Sequence, residues 1–232
     1  YLMDRLTEGA LNLLERRGED ADDPELLALD IRSGAVLWRK NESLFGTWLG
    51  YSEDHELLLQ AGRPAVNSRQ VLEDEPFPAG RLAAYRAARG DEIWRRGVEY
   101  RNAPMLHDDT VIVSGRMFDL LTGEDQTRPH PLTGAERPWR FPSSSNCAQL
   151  IASENLITFR RGTASYFDLA ADSGVSDFGG VRAGCTPNLV PADGILSAPD
   201  YTRTCICAYQ MQTSLALVHD PDVEGWSTYA GD

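Results

Sequence analysis

An all-β repeat fold is predicted by three observations. A strand, glycine turn and strand ending in tryptophan recurs along the chain. Short apolar hairpins with acidic turns interleave with that pattern. The hairpins recur at the spacing of a four-stranded unit. The clearest copy of the first pattern is Ala28-Leu29-Asp30-Ile31-Arg32-Ser33-Gly34-Ala35-Val36-Leu37-Trp38. A second runs from Ala83 to Trp94 through Gly90, and in both copies the glycine stands four residues before the tryptophan. Gly34 and Gly90 are 56 residues apart. Weaker copies span Phe118 to Trp139 and Tyr166 to Gly174, the former stretched by an insertion around Gly123 to Gly134.

The hairpins are Thr47–Tyr51 with Glu56–Ala61, Pro104–His107 with Thr110–Ser114, Ala148–Ala152 with Leu156–Arg160, and Asn188–Pro191 with Ile195–Ala198. Their turns centre near 54, 108, 154 and 193 and carry Asp or Glu, which favour turns by bonding nearby backbone. Each unit is therefore about 46 residues of four short strands, the signature of a β-propeller blade. One such sheet cannot bury both faces alone, and stacking blades face to face does so while leaving only short edges. Glycine gives the tight turn its backbone freedom. Tryptophan gives a large apolar body to wedge between blades. Gly34, Trp38, Gly90 and Trp94 are accordingly the structural repeat residues, and Trp38 and Trp94 are expected to be largely buried at equivalent positions. A β-sandwich with accidental periodicity is the competing architecture.

One segment departs from the strand pattern. Thr7 to Gly18 reads as a short inserted helix, with Thr7 as the cap, Leu11 and Leu14 on one face, and Arg16, Arg17 and Gly18 at the end. Glu19 to Asp23 follows as an acidic solvated loop, and Arg63 to Gly80, with three prolines, as a surface excursion.

Composition narrows the function classes. The 232 residues include 35 acidic against 22 basic side chains, for a net charge of -13. A nucleic-acid binder would show a basic stripe, so that class is excluded, and an anionic membrane surface is disfavoured. No apolar run reaches the ~18 residues of a membrane-spanning helix. The chain opens on Tyr1 inside a strand, shows no signal peptide and reads as processed or excised.

Chemistry-bearing motifs are sparse. His55, His107, His130 and His219 have no metal-ligand spacing. His107-Asp108-Asp109 fits a hairpin turn better than a cation site. Ser143-Ser144-Ser145 lacks a nucleophile frame, and Gly179-Gly180 with Gly184 lacks the helix a phosphate loop needs. Trp38, Trp48, Trp94, Trp139 and Trp226 could stack on sugars, but repeat positions assign Trp38 and Trp94 to the inter-blade core.

The Ala-x-Asp-x-x-x-Gly-x-x-x-Trp form of Ala28 to Trp38 resembles the repeat of PQQ-like, or quinoprotein-type, β-propellers. Phe45 to Tyr51, Ile151 to Glu154, Asn188 to Gly194 and Ala198 to Cys205 resemble stretches of a planctomycete-type subgroup of large exported bacterial repeat proteins. The resemblance covers nearly the whole chain. It implies a quinoprotein-like propeller, partial here at about five of eight blades. Residues 1–232 then form a single propeller region, the C-terminal part of a larger ring whose remainder is missing or meets it as a partner.

Quinoprotein dehydrogenases resemble one another in a vicinal Cys-Cys disulfide, a tryptophan under the quinone, a Ca²⁺ site and an Asp base. This sequence has Cys205-Ile206-Cys207 instead, and Asp200-Tyr201 is the nearest fragment of a catalytic cluster. The expected function is a non-catalytic module of an exported protein, a scaffold for a protein partner, carbohydrate or small ligand. No catalytic residue, metal site or cofactor is assigned. The alternative is part of a quinoprotein-type oxidoreductase, using PQQ with calcium, or of a sugar-active enzyme completed by missing blades. An analogue at the level of fold is the propeller lipoprotein of outer-membrane barrel assembly.

Four cysteines in an acidic, exported-looking β protein suggest two disulfides and an extracytoplasmic location. Of three connectivities, Cys205–Cys207 ranks last because its ring is strained. Cys185–Cys205 with Cys147–Cys207 is favoured over the remaining pairing. Four reduced thiols in a cytosolic protein are the competing reading.

Overall fold

The structure is a computed structural model. It describes residues 1–6, 8–62, 81–98, 100, 103–130, 132–141, 150–161, 163–169, 174–178, 189–199 and 214–218. The chain divides into two compact units, Tyr1–Trp139 and Arg140–Asp232. The fold class is all-β, of the β-propeller type, with antiparallel blades of up to four strands and one short helix.

In the first unit, blade one comprises β1 (Leu2–Asp4), β2 (Glu25–Leu29) and β3 (Val36–Lys40), hydrogen-bonded in that order. Helix α1 (Glu8–Arg17) is inserted between β1 and β2. It stops where Gly18 turns left-handed at φ +68°. The Gly18 N–H donates to the Glu15 carbonyl and the Glu19 N–H to the Leu14 carbonyl, both at 3.0 Å, a Schellman closure.

Blade two is β4 (Trp48–Ser52), β5 (Leu57–Ala61), β6 (Arg81–Arg86) and β7 (Glu92–Gly97) in simple up-and-down order. Strand β5 is buried along its whole length, because both faces of this blade are covered. Leu57, Leu59 and Ala61 join Leu82, Ala84, Val111, Val113 and Phe118 in one cluster. Leu58 joins Leu26, Ala83 and Tyr85 in another, with Met3, Trp38, Phe45 and Leu49 packed around it. The alternation of a strand thus becomes two cores, one on each side of the sheet.

Blade three is β8 (Met105–His107), β9 (Thr110–Val113) and β10 (Arg116–Asp119). Its outer strand is interrupted. The Gln126 N–H donates to the Met117 carbonyl at 3.0 Å, then the hairpin β11 (Thr127–Pro129) and β12 (Glu136–Pro138) leaves the sheet. The chain returns at Trp139, whose carbonyl accepts from the Met117 N–H at 3.4 Å. This hairpin is the insertion that stretched the third sequence repeat.

The second unit contains a four-stranded sheet, β13 (Ile151–Ala152), β14 (Leu156–Arg161), β15 (Thr163–Asp168) and β16 (Val175–Asp177). A three-stranded sheet follows: β17 (Val190–Ala192), β18 (Ile195–Ala198) and β19 (Leu215–Val218). Ala164 of β15 and Phe178, just past β16, share a buried core with Leu196, Ala198 and Leu215 of the three-stranded sheet and with Leu189, just before β17. The Phe141 ring stacks on Phe167 at 4.9 Å.

Tyr100 ties the far side of blade two. Its hydroxyl donates to the Gly62 carbonyl at 2.8 Å and lies 3.0 Å from the Arg81 carbonyl. Burial pushes its pKa up to about 12, against the smaller lowering from the Gly62 hydrogen bond. The folded state therefore holds a proton that the unfolded chain releases near pH 10, so stability is complete below pH 10 and falls between pH 10 and about 12. The expected loss is on the order of 2–3 kcal/mol across two pH units. Tyr100→Phe should flatten that alkaline limb of a denaturant-midpoint profile; an unchanged limb would assign it to another group.

Candidate interaction surface at the blade seams

Three of the four repeat residues, Trp38, Gly90 and Trp94, meet at the seams between neighbouring blades of the first unit, whereas a Cβ on Gly34 would meet nothing within 4 Å. The inner-to-outer strand turns of blades one and three are built the same way, while in blade two Arg86 stands at the acceptor position. Asp30 Oδ1 accepts from the backbone N–H of Arg32 at 3.1 Å and of Ser33 at 2.8 Å, and from the Ser33 hydroxyl at 2.8 Å. Asp119 Oδ1 accepts from Leu121, Thr122 and the Thr122 hydroxyl at 3.0, 2.7 and 2.9 Å. In the inserted hairpin His130 takes the same place, its Nδ1 accepting from the Leu132 and Thr133 N–H groups. The bonds from Ser33 hold the Asp30 carboxyl below its ordinary range, with the Arg32 N–H adding to them. This Asp/His-x-x-Ser/Thr-Gly turn was present in the sequence as Asp30…Ser33-Gly34, Asp119…Thr122-Gly123 and His130…Thr133-Gly134. The tryptophan spacing obscured it, because the two later copies lack a tryptophan four residues on.

On this turn the preceding blade lays its tryptophan. Trp38 of β3 donates its indole N–H to the Ala87 carbonyl of blade two at 2.9 Å. Trp94 of β7 donates to the Leu120 carbonyl of blade three at 2.8 Å. Beneath the rings lie Gly90 and Gly123, at φ +75° and +73°. A Cβ on Gly90 would stand 2.9 Å from the Trp38 ring, and one on Gly123 2.6 Å from the Trp94 ring. Glycine is needed there twice, for the left-handed turn and for the ring's approach. Both indoles are half-buried, less covered than the sequence led us to expect. They sit on the outermost strand of each blade, where solvent reaches part of the ring. Trp48 also packs into the core between blades two and three, beside Gly50. These three rings pack against the inter-blade cores.

Polar side chains stitch the same seams. Gln60, fully buried in β5, donates to the Gly46 carbonyl at 3.0 Å and accepts from the Tyr85 hydroxyl at 2.9 Å. Arg95 reaches that hydroxyl at 3.4 Å, donates to the Ser43 carbonyl at 3.0 Å, pairs with Glu92 and covers the Phe45 ring. Asp125 bridges the Arg96 and Arg116 guanidiniums, which lie 4.7 and 4.8 Å from the centroid of buried Phe118. Burial pushes the Asp125 carboxyl up, but its bonds to Arg116 and Arg96 and their charges outweigh this and leave it below its ordinary range.

The histidines of the acidic hairpin turns are placed likewise. His55 Nε2 lies 2.5 Å from Asp109 Oδ1, joining the turns of blades two and three, and His107 Nδ1 lies 3.5 Å from Asp108. Glu56, Asp108 and Asp193 occupy the left-handed region at φ +50°, +47° and +50°, one in each of three hairpin turns. Among the described residues no group of three or more His, Cys, Asp or Glu converges on a metal-binding position. Among them, too, no helix is long and apolar enough to cross a membrane. Cys147, Cys185, Cys205, Cys207, Asp200-Tyr201, Ser143 to Ser145, Gly179, Gly180, Gly184, His219, Trp226, Thr7 and the excursion 63–80 lie outside the described residues.

No family model and no curated protein matches the chain. Solved structures do. BamB from Moraxella catarrhalis is 17% identical, with a TM-score of 0.44, over 71% of this chain and 47% of that one. The computationally designed Ika8 protein is 15% identical, with a TM-score of 0.43, over 78% of this chain and 53% of that one. The chain thus spans about half the length of the solved structures it matches.

Proposed function

We propose that this chain is a non-catalytic, PQQ-like β-propeller module that works as a scaffold, presenting its blade faces and turns to a protein partner outside the cytoplasm. In this reading residues 1–232 belong to one propeller region, akin to the planctomycete-type exported proteins. The cysteines are disulfide-bonded and no quinone is held. One observation carries it. The described side chains best suited to chemistry are engaged in joining neighbouring blades, His55 on Asp109 and Arg96 and Arg116 on Asp125, or in tying strands within one blade, Gln60 on Tyr85. A site for general acid, base or nucleophile needs such groups aimed at an open position instead.

The test is direct. Protein incubated with PQQ and Ca²⁺ is expected to give no alcohol- or sugar-dependent dye reduction above a no-protein control. Sustained turnover would overturn the scaffold reading in favour of the oxidoreductase.

A further inference from the structure

The hairpin inserted into blade three sets two arginines against each other. In its register Thr127 stands opposite Pro138, Arg128 opposite Arg137 and Pro129 opposite Glu136. Directly opposed residues project from one face of a sheet, and like charges there repel. Trp139, two residues beyond Arg137, shares that face, and the Arg128 guanidinium lies over its ring, 5.3 Å from the centroid. Stacking on an indole fixes the plane of a guanidinium without neutralising its charge.

Elsewhere in the same unit Arg39, Arg89, Arg95, Arg96 and Arg116 each face a carboxylate. Arg137 faces none among the described residues, and its Nε is shut off from solvent with no acceptor, where a shielded N–H normally has one. Glu136, next to it in the strand, lies on the opposite face by alternation. Arg137 as a whole is half-buried, so a ligand can reach it from solvent. Pro129 and Pro138 bring no backbone N–H to the two strands, which makes the hairpin a poor template for a further strand and leaves recognition to its side chains.

We propose that Arg128 and Arg137, with the Trp139 ring beside them, bind one doubly charged oxyanion, a phosphate or sulfate group. Guanidiniums match the oxygens of such groups bidentately, and two charges on the ligand answer two on the protein. The net charge of -13 limits the size of the ligand. A polyanion would be repelled by the surrounding field, whereas one compact dianion meets only the local pair. The site is independent of the scaffold reading, and the dye assay leaves it untouched.

The probe is sodium sulfate, titrated into the ¹⁵N-labelled 232-residue protein at an ionic strength held constant with chloride. Saturable shifts are expected at the Arg137 Nε–H and at the backbone amides of Arg128 and Arg137. Arg137→Gln should weaken binding at least about tenfold, the loss of one charge-assisted bidentate contact. Arg89→Gln, which removes an exposed arginine paired with Asp91, should leave binding unchanged. Inorganic phosphate should compete for the same site. Phenyl phosphate separates the sources: tighter binding than inorganic phosphate assigns the site to a phosphoryl group carried on an organic body, and equal or weaker binding assigns it to the free ion. Without any oxyanion, Arg137→Gln should hold or raise the denaturant midpoint, because it relieves the like-charge contact. A lowered midpoint would make Arg137 a packing residue and overturn the proposal. So would shifts that are absent, that rise linearly with sulfate, or that survive Arg137→Gln.

Discussion

Trp94→Ala is expected to destabilise the first unit by about 3–5 kcal/mol. The substitution removes an indole that packs in the cluster between blades two and three. It also strands the Leu120 carbonyl, which accepts the Trp94 N–H at 2.8 Å. A buried acceptor left without its donor costs about 1–3 kcal/mol, so hydrogen bond and packing contribute separately. Trp94→Phe divides them, keeping most of the apolar body and losing only the donor, at about 1–2 kcal/mol. Gly123→Ala attacks the same contact from below, through a positive φ and a Cβ 2.6 Å from the ring. Because the two residues share one contact, the double variant should cost less than the two singles together. Denaturant midpoints of the four proteins measure all of this. Full additivity would mean that Trp94 and Gly123 do not form one seat.

Gly46→Ala is expected to cost at least about 3 kcal/mol through overpacking against backbone. A Cβ there would collide with the Ala61 carbonyl and the Gly62 Cα. Neither is the far end of a flexible side chain, so relief requires moving the end of β5. That movement also disturbs the Gln60 amide, which donates to the Gly46 carbonyl at 3.0 Å and anchors Tyr85. Gly9→Ala is the matched control. Gly9 lies in α1 with open space around it, so alanine there should stabilise by up to about 1 kcal/mol. Similar midpoints for the two variants would contradict the close approach at Gly46.

Much of this fold was legible because its signals are local. Each acidic hairpin read from the sequence corresponds to a strand pair, from β4 with β5 to β17 with β18. The helix end was legible in Arg16, Arg17 and Gly18, whose geometry needs no tertiary context. The seam was half legible. The Gly-to-Trp spacing marks a repeat, but it does not reveal that each tryptophan rests on the glycine of the next blade. That contact joins residues 52 and 29 positions apart, Trp38 with Gly90 and Trp94 with Gly123. The Gln60–Tyr85–Arg95 chain was illegible for a related reason. A glutamine inside Leu57-Leu58-Leu59-Gln60-Ala61 carries no sign of its partners until two further strands are laid beside it.

Hydrogen exchange of the indole N–H protons tests the blade register most directly. Trp38→Phe and Trp94→Phe would assign the two resonances. Both protons are expected to exchange far more slowly than in a free indole, because each donates to a carbonyl of the neighbouring blade. Gly90→Ala should speed exchange at Trp38 more than at Trp94, and Gly123→Ala should do the reverse. Exchange of both indoles at the free rate in the wild-type protein would contradict the seams, and with them the blade stacking on which the scaffold reading stands.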